Sequence, residues 1–231
     1  MIQATTSIFL NGYQLSDPVT VLTDLFITFY TLYVYLYLRK GKTNSLVVKD
    51  WSAFYLYMFI SSLLGALNHA GYYLVPASFR LVFWLGMQIT ACIAIFFAVL
   101  ATAKIINQPE KEKKIGAVAA IIMLVFIMLS LILKSFLILK INIATSLVFI
   151  IIEHYKSFKK QIIGSGLILY GMLISIIPVF VHSFKWNFGI WFNHNDISHV
   201  IMFISLIIIF GGVRLIEQEA KSNALLYNKS N

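Results

Sequence analysis

Residues 191–212, WFNHNDISHVIMFISLIIIFGG, place a polar cluster directly before a long apolar run. About 20 apolar residues suffice to cross a bilayer as a helix, and other stretches of the chain reach this length. The chain is 60% hydrophobic and 12% charged, whereas soluble domains are about 45–50% apolar and about 25% charged. Long apolar runs, unlike short alternating strands, favour helices. We therefore predict an all-α membrane protein with a seven-transmembrane helix bundle.

The apolar runs are separated by short segments rich in charge or turn residues. Little sequence remains outside them, so we predict a single integral membrane domain over residues 1–231. The one cysteine, Cys92, excludes an intrachain disulfide and a cysteine-based metal site. The seven predicted spans are residues 18–39, 51–74, 79–104, 115–134, 138–155, 161–182 and 195–215.

The distribution of basic residues predicts the orientation of the bundle. Fourteen of the 18 lysines and arginines fall in alternate loops and the C-terminal tail. Cytoplasmic loops collect such residues, so we expect the N-terminus outside and the C-terminus in the cytoplasm. This rule and contact with anionic lipids explain the net charge of +9. We therefore predict no nucleic-acid partner.

Polar residues converge near the predicted outer ends of several spans. Asp24 lies about two turns into span one, and His69 lies near the outer end of span two. Of the nine acidic residues, only Asp24 and Asp196 enter the membrane, and both enter from the outside. An ionisable residue within a span normally faces the bundle interior and serves a function.

These side chains predict a metal site, with zinc as the cofactor. Catalytic zinc takes three protein ligands and leaves one position for water. His69 and His199 are the best two candidate ligands, and Asp196, one turn before His199, is the natural third. His194 or His182 are the alternatives for that third position.

Two further residues are candidates for catalysis. Asp24 and Asn195 would orient the metal ligands or act on the metal-bound water. Zinc would lower the pKa of that water and supply a hydroxide for hydrolysis. Two alternatives stay open: a metal-free site for a ligand or proton, and a set of hydrogen bonds that only hold the helices together.

Two motifs, SSLLGALNHAG at 61–71 and FNHNDISHVIM at 192–202, resemble the CREST superfamily of seven-span proteins. That group includes alkaline ceramidases and adiponectin-receptor-like proteins, and its characterised enzymes are zinc-dependent lipid amidases. The resemblance implies His69 and His199 as ligands. It departs from the family at Gly65, where the family has serine, and at Asn195, where it has histidine. The nearer resemblance is to uncharacterised bacterial proteins with a similar Thr23-Asp24 pair.

The sequence thus predicts a membrane-embedded, metal-dependent hydrolase of the bacterial cytoplasmic membrane. Its substrate would be a lipid amide or ester that reaches the site from the extracytoplasmic face. The alternative is a non-enzymatic sensor, transporter or membrane scaffold with a polar cavity for a ligand or proton. A retinal protein is excluded because no lysine lies between Lys185 and Lys221, so span seven cannot form the Schiff base. The sequence does not define the oligomeric state.

Overall fold

The protein folds into a helical bundle preceded by a small β-hairpin. The computed structural model describes residues 6–41, 44–106 and 108–230, with side chains to residue 223. The elements are β1 (Ser7–Leu10), β2 (Tyr13–Ser16), α1 (Pro18–Lys40), α2 (Leu46–Ala70), α3 (Ala77–Ile105), α4 (Pro109–Leu133), α5 (Phe136–Lys159), α6 (Ser165–Ile174), α7 (Ile177–Phe184) and α8 (His194–Ser230).

The hairpin was not among the predicted elements. Its turn is Asn11-Gly12, and both residues have positive φ, 50° and 85°. This conformation suits the two-residue turn that an Asn-Gly pair favours between antiparallel strands. The hairpin leads directly into Asp17, whose backbone N–H donates to the carbonyl of Thr6 at 2.8 Å. The strands therefore fix the position of the residue that precedes α1.

Within the described residues, six helical segments are long and apolar enough to cross a membrane: α1, α3, α4, α5, α6 with α7, and α8. This identifies an integral membrane protein and confirms six of the seven predicted spans. The remaining predicted span, α2, has 25 residues and is not among these six. It packs most extensively against α1 and α3, and Trp51 and Tyr55 are completely buried. The orientation across the membrane stays a prediction.

The predicted span 161–182 is two helices. Helix α6 ends at Ile174, α7 begins at Ile177, and Pro178, which has no N–H to donate, stands in the first turn of α7. The carbonyl of Gly171 accepts the Ser175 N–H at 3.0 Å and the Ser205 hydroxyl at 2.7 Å. The break is therefore tied to α8 by side-chain hydrogen bonds.

The helix directions define two ends of the bundle. At one end, here called the site end, α1, α3, α5 and α8 begin and α2, α4 and α7 finish. The opposite end carries most of the basic side chains, including Lys104, which pairs with Asp50. An apolar core lies between the two ends, with Ile27, Ile150 and Val213 completely buried.

Candidate functional site

The polar cluster before span seven first serves to start α8. The side chain of Asn193 accepts the N–H of Asn195 at 2.8 Å, and the Asp196 carboxylate accepts the N–H of Asn193 at 2.7 Å. This reciprocal arrangement is a capping box, with the acid three residues after the cap. The sequence pattern Asn-x-x-Asp at residues 193–196 is typical of this motif, which was not among the features predicted from the sequence.

Asp196 also joins α8 to α1. The hydroxyl of Thr20 donates to Oδ1 of Asp196 at 2.6 Å, while Oδ2 holds the cap. The Asp196 side chain is completely buried. Both carboxylate oxygens therefore serve protein hydrogen bonds, one within α8 and one to α1.

His199, one turn further along α8, faces the same side of α1. Its Nδ1 lies 3.1 Å from the Thr23 hydroxyl, and its Nε2 lies 3.5 Å from Oδ1 of Asp24. Both ring nitrogens thus meet side chains of α1. The face of α1 that carries Thr20, Thr23 and Asp24 is therefore the face that contacts α8.

Asp24 is the buried acid at the centre of the arrangement, with 4% of its surface exposed. Its Oδ2 atom has no hydrogen-bond partner among the described residues. A Cβ atom added to Gly65 would lie 3.2 Å from this oxygen. The absent side chain at Gly65, where the sequence departs from CREST proteins, therefore leaves the room that the Asp24 carboxylate occupies.

His69 approaches the cluster from the end of α2. Its Nδ1 lies 3.7 Å from Oδ2 of Asp17, the residue that the hairpin positions before α1. Further polar side chains lie one turn along α1 from Asp24, deeper in the bundle. There the Thr28 hydroxyl oxygen lies 2.8 Å from the Asp24 carbonyl oxygen and 2.9 Å from the Ser62 hydroxyl oxygen, and either of these can accept its one hydrogen.

The two alternative histidines form a separate group. The rings of His182 and His194 meet edge to face, with centroids 4.9 Å apart. The backbone N–H of His194 donates to the side chain of Asn187 at 2.8 Å. The structure thus places His194 beside α7, away from the α1 residues that contact His199. Asn195 is half-buried, and none of the described residues is seen to hydrogen-bond its side chain.

A cavity of about 220 Å³ opens beside Asp24 and His199. At the site end its lining also includes Lys140, His182 and Ser198. The rest of the lining is mostly apolar and reaches the middle of the bundle, with Phe54, Ile95, Leu147, Met172, Leu206 and Ile209; its polar residues are Ser61, Ser62 and Ser175. The cavity therefore has one polar end and one apolar end.

The described side chains, as arranged, do not fit a zinc site. No group of three or more His, Cys, Asp or Glu residues in the described part of the chain could hold a metal ion. Asp196, the predicted third ligand, already uses both oxygens. The zinc ligands His69, Asp196 and His199 stay a prediction from the sequence.

Comparison with known proteins gives a family but no activity. No curated protein matches the chain. A family model matches residues 19–218, which include α2 to α7 in full, most of α1 and α8, and the residues on both sides of the cavity. The chain belongs to a family of unknown function (DUF6962).

Proposed function

We propose that the protein binds a single-chain membrane lipid in the central cavity, with the lipid's polar part held at Asp24 and His199. The observation that carries this proposal is the cavity itself, which has charged and imidazole side chains at one end and a mostly apolar lining along the rest. Its volume of about 220 Å³ exceeds the roughly 150 Å³ of an engineered apolar cavity that holds a benzene molecule. A segment of an acyl chain fits the apolar part, and the rest of the chain would extend beyond the cavity.

The unpartnered oxygen of Asp24 supports a polar ligand at that end. A buried carboxylate oxygen without a hydrogen bond costs about 1–3 kcal/mol or more. A hydroxyl or amide N–H on the lipid would donate to Oδ2. His199 keeps Oδ1 in place from the other side.

A binding assay with purified protein tests the proposal. The probe is radiolabelled N-oleoylglycine methyl ester, an uncharged lipid amide with one acyl chain. Ile143→Trp fills the cavity from α5 and Ala91→Phe fills it from α3. Ile121→Trp is the matched control: it makes the same isoleucine-to-tryptophan change on α4, at a side chain that is 62% exposed. We expect both filling variants to lose binding and Ile121→Trp to retain it. Equal binding by all four proteins would refute the proposal.

A second candidate is hydrolysis of such a lipid amide or ester, which the CREST resemblance favours. The supporting observation is that Asp24 has an oxygen free beside the cavity, where it can take a proton from water. His69 is contacted by a carboxylate at Nδ1, as metal-bound histidines usually are.

The two candidates separate in a turnover experiment. Release of oleate from the same probe is followed by mass spectrometry, with Asp24→Asn as the variant. Loss of the base is expected to slow hydrolysis by about a hundredfold or more. Binding without release of oleate in the wild type leaves the first candidate and removes the second.

The zinc prediction has its own measurement. Elemental analysis of the wild type is compared with the His69→Ala/His199→Ala variant, without chelators during purification. The metal hypothesis expects about one zinc per chain in the wild type and none in the variant. Equal, trace amounts in both proteins would exclude it.

A further inference from the structure

We infer that the lipid in the central cavity carries an anionic group that Lys140 binds, next to an O–H or N–H that donates to Asp24. This inference rests on the proposed function and names the class of lipid. It rests on two residues that line the same cavity, Lys140 and Asp24. Among the described residues, Lys140 has no carboxylate partner and one oxygen of Asp24 has no hydrogen-bond donor.

Lys140 is the first of these residues. It lies in the second turn of α5, is half-buried and lines the cavity. Its Nζ lies 5.7 Å from the centre of the Phe136 ring, a cation–π contact. No ion pair joins Lys140 to a carboxylate within the described ranges.

The surroundings of Lys140 do not supply a negative charge. His182, which also lines the cavity, packs against Phe136 with the ring planes tilted by 39° and the ring centres 5.0 Å apart, and its Nδ1 has no hydrogen-bond partner among the described residues. Lys185 adds a second positive charge nearby. The one carboxylate among the described lining residues is Asp24, which already pairs with His199. Because Lys140 is half-buried and lines the cavity, a ligand that supplies an anion there gains affinity from the charged hydrogen bond.

Asp24 adds a second requirement. Its Oδ2 has no donor among the described residues, although it is buried. A ligand that satisfies both residues carries an anion and, close to it, a hydroxyl or amide N–H. The apolar remainder of the cavity requires one acyl chain.

Two kinds of lipid have this chemistry. An N-acyl amino acid combines an amide N–H with a carboxylate, and a lysophosphatidic acid combines a hydroxyl with a phosphate. A fatty acid has the anion and the chain but lacks the second donor when ionised. The shared feature is therefore a single chain with an anion and a neighbouring donor, and the experiment separates the sources.

The test measures binding of N-oleoylglycine, its uncharged methyl ester, oleate and oleoyl lysophosphatidic acid to the full chain in detergent. Lys140→Gln removes the cation, and Lys140→Arg keeps it. Lys134→Gln is the matched control, because it removes a lysine at the same end of the bundle that does not line the cavity.

For the wild type we expect N-oleoylglycine to bind more tightly than its methyl ester and than oleate. Lys140→Gln should weaken N-oleoylglycine about tenfold or more, the typical contribution of a charged hydrogen bond. The same variant should leave the methyl ester unchanged, which also shows that it is folded. Lys140→Arg and Lys134→Gln should bind the acid within about threefold of the wild type.

An unchanged preference for acid over ester in Lys140→Gln would overturn the inference while leaving lipid binding intact. If the wild type binds none of the four lipids, or if the filling variants bind them all, lipid binding itself fails. Tighter binding of lysophosphatidic acid than of N-oleoylglycine assigns the anion to a phosphate, and the reverse assigns it to a carboxylate.

Discussion

Replacing Asp196 with alanine tests whether this residue is structural. The change removes the Asp196 half of the capping box at the start of α8, and a helix cap typically contributes about 1 kcal/mol. It also removes the acceptor of the Thr20 hydroxyl, and a hydrogen bond to a charged group contributes about 1.5–3 kcal/mol. Because Asp196 is completely buried, water does not replace these bonds. We therefore expect the free energy of unfolding to fall by about 3 kcal/mol.

Thermal unfolding in detergent measures this change. For a chain of about 150–250 residues, 1 kcal/mol shifts Tm by about 2–4 °C, so Asp196→Ala should lower Tm by about 6–12 °C. Asn195→Ala is the matched control, since it changes the preceding residue of the same helix and removes no observed side-chain hydrogen bond among the described residues. It should stay within about 0.5 kcal/mol of the wild type.

A double-mutant cycle isolates the bond between α1 and α8. Thr20→Val and Asp196→Asn, alone and together, should show a coupling of about 0.5–3 kcal/mol. If Asp196→Ala unfolds at the same temperature as Asn195→Ala, Asp196 does not hold the two helices together. Loss of bound zinc with no change in Tm would instead assign it to a metal.

Three further outcomes are expected. Gly171→Ala would place a Cβ atom 2.5 Å from Cγ1 of Ile209. The resulting overpacking should lower the free energy of unfolding by about 1–3 kcal/mol. Gly189→Ala is the control in the same thermal assay, because a Cβ atom there would meet no atom within 4 Å. In a Cys92→Ser background, a membrane-impermeant maleimide should label Gly189→Cys in intact cells and should not label Lys111→Cys, as the basic-residue rule requires; the opposite pattern would reverse the orientation. Thr23→Val removes a contact of His199 Nδ1 and should weaken binding of the neutral lipid amide by less than His199→Ala does, as measured with the radiolabelled probe.

Hydrophobic length predicted the spanning helices because the apolar runs are long and the loops short. It placed α2 among the spans, but the packing of α2 between α1 and α3 cannot be read from one segment of sequence. The break before Pro178 was visible as a proline, but its exact position depends on the hydrogen bonds of Gly171 with α8.

The candidate site was predicted in location but not in its pairings. Helical spacing placed Asp24, His69 and His199 at one end, and the contacts with α1 agree with this. Spacing cannot tell which partner each oxygen takes, so it did not foresee that Asp196 would be used by Asn193 and Thr20. These partners come from a cap and from a different helix.

Helix α8 runs without interruption over 37 residues, about 55 Å at 1.5 Å per residue. The hydrocarbon layer is only about 30 Å thick, so α8 is longer than a membrane span. The same helix therefore carries His199 near its start and extends by several turns beyond the basic end of the bundle. A rotation or translation of the projecting segment would be transmitted to the His199 side chain, because one continuous helix joins the two and no loop interrupts it.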